Sequence, residues 1–289
     1  MKSFIFKCAA IAAPVIACAA ILTFCVRFPN TRVEEKYEEL RERASPKIVL
    51  AGGSAMARVT RASALGEAGL PVINSAFTYG YGLGRILDGL SPYLNAGDTL
   101  VLAAEYEHFT SVWNGNYRAY QLIFDNRRYD LLFSRWYGLP SDFSLFLSYK
   151  LLSIRGRAAP AAPAPAAAAQ EITGTRPFLG NHGFGRLDRR SLGRFFGMTE
   201  ALAKRGVIIL ISYPSLEEAS FRENLPLISG LDAAFRSNKY LNVISRPEDY
   251  AMPRALCFDS PYHLNSAGEA LRDERLCRDI LRFLGRKQP

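Results

Sequence analysis

The sequence predicts an α/β domain built on a doubly wound parallel sheet of about five strands. Three observations predict it. Short β-type runs alternate with helical patterns along most of the chain. The 289 residues are 49% hydrophobic, enough for one large domain with a substantial core. The last helix is long, apolar on one stripe and cleanly started.

The elements follow in order. Lys2 and Lys7 precede an apolar run from Cys8 to Val26 that ends at Arg27. Such a run is long enough to cross a bilayer core as a helix. Residues 1–27 are therefore expected to be a signal-anchor transmembrane segment, with the N-terminus inside and the domain exported. A cleaved signal peptide and a lipoprotein stay open as alternatives, because Val15-Ile16-Ala17-Cys18 resembles a lipobox. Arg27, Arg32, Lys36, Arg41 and Arg43 outnumber the two N-terminal lysines, against the positive-inside expectation. Residues 28–45 read as a short charged helical stalk that Pro46 ends.

The domain proper spans 46–289. Its strands are expected at Ile48–Ala51, Val72–Asn74, Thr99–Ala103, Val207–Ser212 and Val243–Ser245. Helices are expected at Gly84–Leu94, Leu192–Lys204 and Leu216–Phe235. Ligands of such sheets bind beyond the carboxyl ends of the strands, and Ser54, Glu105 and Tyr213 all fall just past one. The alternation breaks over an aromatic, basic insertion, 109–188, which contains a Pro/Ala linker at 158–169. The insertion either covers the crevice, stacks on glycan, docks on a membrane partner, or buries its aromatics as a helical hairpin. Ser266-Ala267-Gly268-Glu269 reads as a capping box that opens the last helix. Cys277 falls on that helix's apolar stripe, so core packing competes with a Cys257–Cys277 disulfide.

The chemistry concentrates in Phe258-Asp259-Ser260-Pro261-Tyr262-His263-Leu264-Asn265. A carboxylate four residues before one of only three histidines suits a base and its orienting partner. Ser54, after Gly52-Gly53, is the candidate nucleophile, and otherwise a helix N-cap. Acyl transfer also needs donors for an oxyanion. The Ser54 amide and an amide of the Asn74–Gly80 loop are candidates, Gly80 being the permissive position. Asn181 is a substitute side-chain donor or simply a turn residue. Glu105 either positions substrate or pairs with an arginine. His108 and His182 lack ligand-like spacing, so neither a metal nor a cofactor is expected. The net charge of +9 suits lipid headgroups or an acidic glycan. No nucleic-acid module is visible, and nucleic acid is not an expected partner.

Lys47-Ile48-Val49-Leu50-Ala51-Gly52-Gly53-Ser54 and the late Asp259-(x)3-His263-Leu264-Asn265 resemble the SGNH/GDSL hydrolase-like superfamily. So do Pro71–Asn74, Gly97–Leu102 leading into Glu105–Phe109, and Ser212-Tyr213-Pro214. The chain is similar, more narrowly, to membrane-anchored bacterial members associated with O-acetylation of surface polysaccharides. The family's Gly-Asp-Ser stands here as Gly52-Gly53-Ser54, and its Gly-x-Asn-Asp block is not recognisable. The Asp259 to His263 spacing also exceeds the family's usual offset. The resemblance implies a three-layer, flavodoxin-like sheet and a single-pass inner-membrane protein with its domain in the periplasm or outside the cell. It implies a Ser54–His263–Asp259 triad, a polysaccharide substrate and an acetyl donor delivered by a polytopic membrane acyltransferase. An acetyl-esterase with the same triad, or a non-catalytic glycan-binding subunit, are the rival readings.

Overall fold

Five parallel strands pair in one sheet among residues 12–59, 71–110, 112–132, 140–158 and 183–285, which the computed structural model describes. They are β1 (Ile48–Gly52), β2 (Val72–Asn74), β3 (Thr99–Ala103), β4 (Ile208–Ile211) and β6 (Asn242–Val243), in spatial order β2-β1-β3-β4-β6. A separate two-stranded sheet pairs β5 (Leu216–Glu217) with β7 (Ala251–Met252). Every residue of β1 and β3 is buried, as strands covered on both faces must be. Leu50, Val101 and Leu210 pack with Leu276, Ile280 and Leu281 of the Ser266–Phe283 helix. The Leu83–Leu90 and Arg189–Lys204 helices pack on β1 and β4 respectively, and supply the other layer. The strand order reverses between β1 and β3, and in sheets of this kind ligands bind beyond the carboxyl ends at that point.

The chain clusters into two units, Met1–Thr31 with Asn116–Thr175, and Arg32–Gly115 with Arg176–Pro289. The second holds the sheet. There the Thr31–Glu42 helix, expected as a charged stalk, buries Val33, Tyr37 and Leu40, with Tyr37 stacked 5.6 Å from Phe77. In the first unit, residues 12–20 are helical and continue into the π-helical turn Ile21–Cys25. Residues 1–11 of the expected transmembrane segment lie outside the described residues. No helix among the described residues is long and apolar enough to cross a membrane. The aromatic insertion supplies Tyr120, Phe124 and Phe146 to this unit's core, and Phe24 meets Phe124 edge-on at 5.4 Å. Lys150 and Asp125 form an ion pair of 2.6 Å with no side-chain exposure. Arg27 donates to the Asp125 carbonyl at 2.7 Å, and Lys150 also reaches the Val26 carbonyl. Apart from Ala158, the Pro/Ala linker lies outside the described residues.

Two further expectations change. The helix drawn over Leu216–Phe235 is β5 followed by two helices, Glu218–Glu223 and Leu225–Arg236, which meet at Asn224. Pro226 lacks an N–H, so it cannot continue the first helix but fits the opening turn of a second. The Asn224 side chain is held at this break, donating to the Ser220 carbonyl at 2.8 Å and accepting from the Phe184 amide at 2.8 Å. The N-cap of the last helix is Asn265 rather than Ser266. Its carboxamide accepts from the Gly268 amide at 3.0 Å through Oδ1 and donates to the Ala255 carbonyl at 2.8 Å through Nδ2, two separate atoms that reach in two directions. Of the two readings left open for Cys277, core packing holds: Cys257 and Cys277 are buried in separate clusters and form no disulfide with each other.

The amino ends of β1 and β3 are knotted by Asp98, which is fully buried. It accepts from the Lys47 amide at 3.0 Å and the Asn95 amide at 2.9 Å, and pairs with the Lys47 ammonium at 3.1 Å. Burial pushes its carboxyl up, but the Asn95 amide, the Ser45 hydroxyl and Lys47 together hold it below the usual carboxylate range. Stability from this group is therefore present above its unfolded value and is lost as pH falls through the folded one. Asp98→Ala leaves the Lys47 ammonium buried and unpaired, and is expected to cost about 3 kcal/mol in urea unfolding. Glu200→Ala, which breaks a solvent-screened surface pair with Lys204, should leave the urea midpoint where it is in the parent.

Candidate active site

β1 ends at Gly52, and Ser54 opens a single helical turn, Ser54–Ala57. Both preceding glycines are dictated by closeness to β3. A Cβ on Gly52, whose φ is +154°, would lie 2.2 Å from the Ala103 carbonyl oxygen. A Cβ on Gly53 would lie 2.4 Å from the Glu105 carboxyl. The chain thus passes so near the end of β3 that only glycine fits.

The Ser54 hydroxyl sits between two groups. Its Oγ is 3.1 Å from His263 Nε2 and 2.8 Å from Glu105 Oε1. His263 Nδ1 is 2.7 Å from Asp259 Oδ1, and the two side chains are 27% and 21% exposed. An antiparallel bridge between Cys257 and Leu264 closes the loop that carries both, and Phe258 N donates to the His263 carbonyl at 2.7 Å. That closure is why a four-residue spacing suffices for the pair to meet. The sequence-predicted residues Ser54, His263, Asp259 and Glu105 therefore come together in one hydrogen-bonded chain.

Other candidates do not join it. The Gly80 carbonyl packs on Gly115, and no hydrogen bond of Ser54, His263 or the Glu105 carboxyl reaches Gly80 among the described residues. The positive φ in this loop falls at Gly82, at +80°. Tyr213 donates its hydroxyl to Asp232. Asn181 and His182 lie outside the described residues.

Sequence reasoning missed the residues that hold the loops together. Tyr262 donates to Glu107 Oε2 at 2.6 Å and accepts from the Tyr106 amide at 3.2 Å, so it ties the His263 loop to the segment after β3. Asn74 donates to the Met56 and Val59 carbonyls and accepts from the Ala76 amide, so it joins the end of β2 to the turn that carries Ser54. His108 lies between two carbonyls, Nδ1 3.1 Å from that of Glu105 and Nε2 3.2 Å from that of Tyr79, and as a neutral ring it donates to one of them. Burial pushes His108 down to about 4 despite both carbonyls, so it is neutral at physiological pH. The available signals were adjacency alone: Tyr262 precedes His263, and Glu107 and His108 follow Glu105.

Glu105 is 2% exposed. Burial, then repulsion from Glu107, pushes its carboxyl up to about 7. The Ser54 hydroxyl and the Ala55 and Ser54 amides pull the other way. Chemically, the cluster offers a hydroxyl, a base against it, a carboxylate behind the base and a second carboxyl with variable charge.

No family model and no curated protein matches the sequence. A solved structure described as "a putative platelet activating factor from Streptococcus pneumonia" is similar at a TM-score of 0.48 and 12% identity, covering 94% of this chain and 99% of that one.

Two glycine substitutions test the crowding at the end of β1. Gly53→Ala forces its methyl into Glu105 and is expected to lower stability by about 2 kcal/mol. Gly193→Ala, on an exposed helical position with nothing within 4 Å, should instead gain up to about 1 kcal/mol. Urea midpoints of the two variants, moving in opposite directions, are the check.

Proposed function

We propose that this chain is an SGNH-like serine acyltransferase that moves an acetyl group onto a hydroxyl of a cell-surface polysaccharide. The observation that carries the reading is the hydrogen-bonded chain from Asp259 through His263 to Ser54. Asp259 holds the imidazole with Nδ1 protonated, which leaves the lone pair of Nε2 for the Ser54 hydroxyl. His263 takes that proton as Oγ bonds to the acyl carbon and the carbonyl electron pair moves onto oxygen. Collapse of the tetrahedral intermediate expels the donor's alcohol, which leaves with the proton from His263, and the acyl group stays on Ser54. A sugar hydroxyl, deprotonated in turn by His263, attacks the ester and carries the acyl group away.

The acceptor class is supported by the resemblance of the motifs and by the net charge of +9, which suits an acidic glycan. The apolar run of residues 8–26 supports a membrane-anchored, exported domain, supplied with acetyl groups by a polytopic membrane partner. A reporter fused after Pro289 is expected to be active only in its exported form; an active cytoplasmic form sinks the topology and the glycan with it.

Ser54→Ala, His263→Ala and Asp259→Ala are each expected to lower p-nitrophenyl acetate turnover by about 1,000-fold or more, with double variants losing little beyond the singles. Additive losses, or an active Ser54→Ala, would remove the triad. Transfer to polysaccharide fragments in competition with water separates the transferase from an esterase. A wild-type chain that binds polysaccharide yet neither transfers nor hydrolyses is a non-catalytic subunit.

A further inference from the structure

We propose that the Pro140–Ala158 helix lies in the surface of a lipid bilayer, beside the N-terminal apolar segment, with its outward leucines among the acyl chains. This rests on the membrane-anchored reading and adds a second point of lipid contact to it. Between Asp142 and Arg155 the only charged residue of this helix is Lys150. Its side chain has no exposure, being paired with Asp125, and the buried Phe146 ring lies 4.8 Å from its ammonium. The face that carries these two residues is the inner one, where Phe146 packs on Tyr120 and Phe124. The opposite face carries Leu145, Ser148 and Leu152, spaced as one stripe of a helix. Leu145 and Leu152 are 55% and 65% exposed, and Leu151 and Ile154 are exposed as well. A helix apolar on both sides is covered by protein or by lipid. Here protein covers one side and the other faces outward.

What adjoins the outer face identifies its occupant. Residues 12–18 are helical, apolar and exposed along their whole length, with Ile16 at 66%. The apolar run to which they belong ends at Arg27, and the Pro140–Ala158 helix meets the run at that end. The Lys150 ammonium donates to the Thr23 carbonyl at 3.5 Å and to the Val26 carbonyl, and Tyr149 lies edge-on to Phe28 at 6.2 Å. With the apolar run in the bilayer core, this contact falls at the level of the headgroups.

The chemistry at that level suits a membrane surface. Tyr117 sets a second phenol 6.3 Å from Tyr149, and tyrosines concentrate where an apolar segment leaves the bilayer. Arg27 and the exposed Arg155 border the apolar surface with positive charge, which complements anionic headgroups. Leucines facing out from a helix at this level enter the boundary between headgroups and acyl chains by about 5–10 Å. The helix rests there rather than crossing, since no helix among the described residues is long and apolar enough to cross.

The experiment uses the full chain with Cys8, Cys18 and Cys25 changed to alanine, while the buried Cys257 and Cys277 stay. A nitrobenzoxadiazole fluorophore is placed on one introduced cysteine at a time: Ile16→Cys, Leu145→Cys, Leu152→Cys, or Lys239→Cys on an exposed position of the unit that holds the sheet. Each variant is reconstituted in vesicles of phosphatidylcholine and phosphatidylglycerol. The vesicles contain a phospholipid with a quenching spin label either near its headgroup or near the end of an acyl chain. Both leucine positions are expected to lose more fluorescence to the shallow label than to the deep one. Ile16 should lose more to the deep label, and Lys239 should respond to neither. Quenching at Ile16 without quenching at either leucine overturns the second contact and leaves the anchor in place. No quenching at any position sinks the anchor and this contact together. Leucine positions quenched by the deep label alone would mean a spanning helix, against the surface placement. Leucine positions unquenched in lipid vesicles, yet shielded from aqueous iodide in native membranes, would mean that a protein covers this face, and that also overturns the proposal.

Discussion

The register between β1 and β3 governs the site. Gly52 lies opposite Ala103, so both strands leave the sheet at the same level. Two residues later each chain presents its reactive side chain, Ser54 on one and Glu105 on the other. Side chains alternate faces along a strand, so a one-residue slip would send one of the pair to the wrong side of the sheet. The Asp98 knot at the opposite end makes such a slip costly, because it ties the residue before β1 to the turn before β3. The two glycines matter for the same reason: they allow the approach that the register imposes.

The remaining loops are brought to this pair by neutral connectors rather than by ion pairs. Tyr262 links the histidine loop to the segment after β3, His108 links that segment to the loop after β2, and Asn74 links β2 to the serine turn. Two carboxyl groups, Asp259 and Glu105, contact one histidine and one serine, and a third, Glu107, stands behind them on the Tyr262 hydroxyl. Neutral connectors suit such a site because a cation in their place would ionise the carboxyls and fix their charge. A phenol and a buried neutral imidazole supply hydrogen bonds without doing so.

Much of this was legible in the chain, and the limit is physical. Apolar runs located the strands of the main sheet to within a residue or two, because strands buried on both faces leave little room for polar residues. Asp259 and His263 were legible because they are close in sequence and a short closed loop joins them. The contact of Glu105 with Ser54 was not, since it depends on which residue of β1 lies opposite which residue of β3. The break at Asn224 was carried by Pro226 but masked by apolar periodicity that runs on through it. The cap at Asn265 was hidden because a serine and a glutamate of good spacing follow directly.

The buried Lys150–Asp125 pair bears on how this chain can be shortened for preparation. Trimming the apolar start after Val26 would leave Arg27 but take away the Val26 carbonyl that receives the Lys150 ammonium. Trimming one residue further would also strip the guanidinium from the Asp125 carbonyl. The lysine and aspartate would then hold each other with fewer partners, in a region where neither side chain touches solvent. Residues 12–31 and the helices after Asn116 are in this sense one piece of protein, although the chain forms three of the five strands of the main sheet between them. A shortened version that keeps one and discards the other would gain solubility at its apolar end and lose it again through a half-built core.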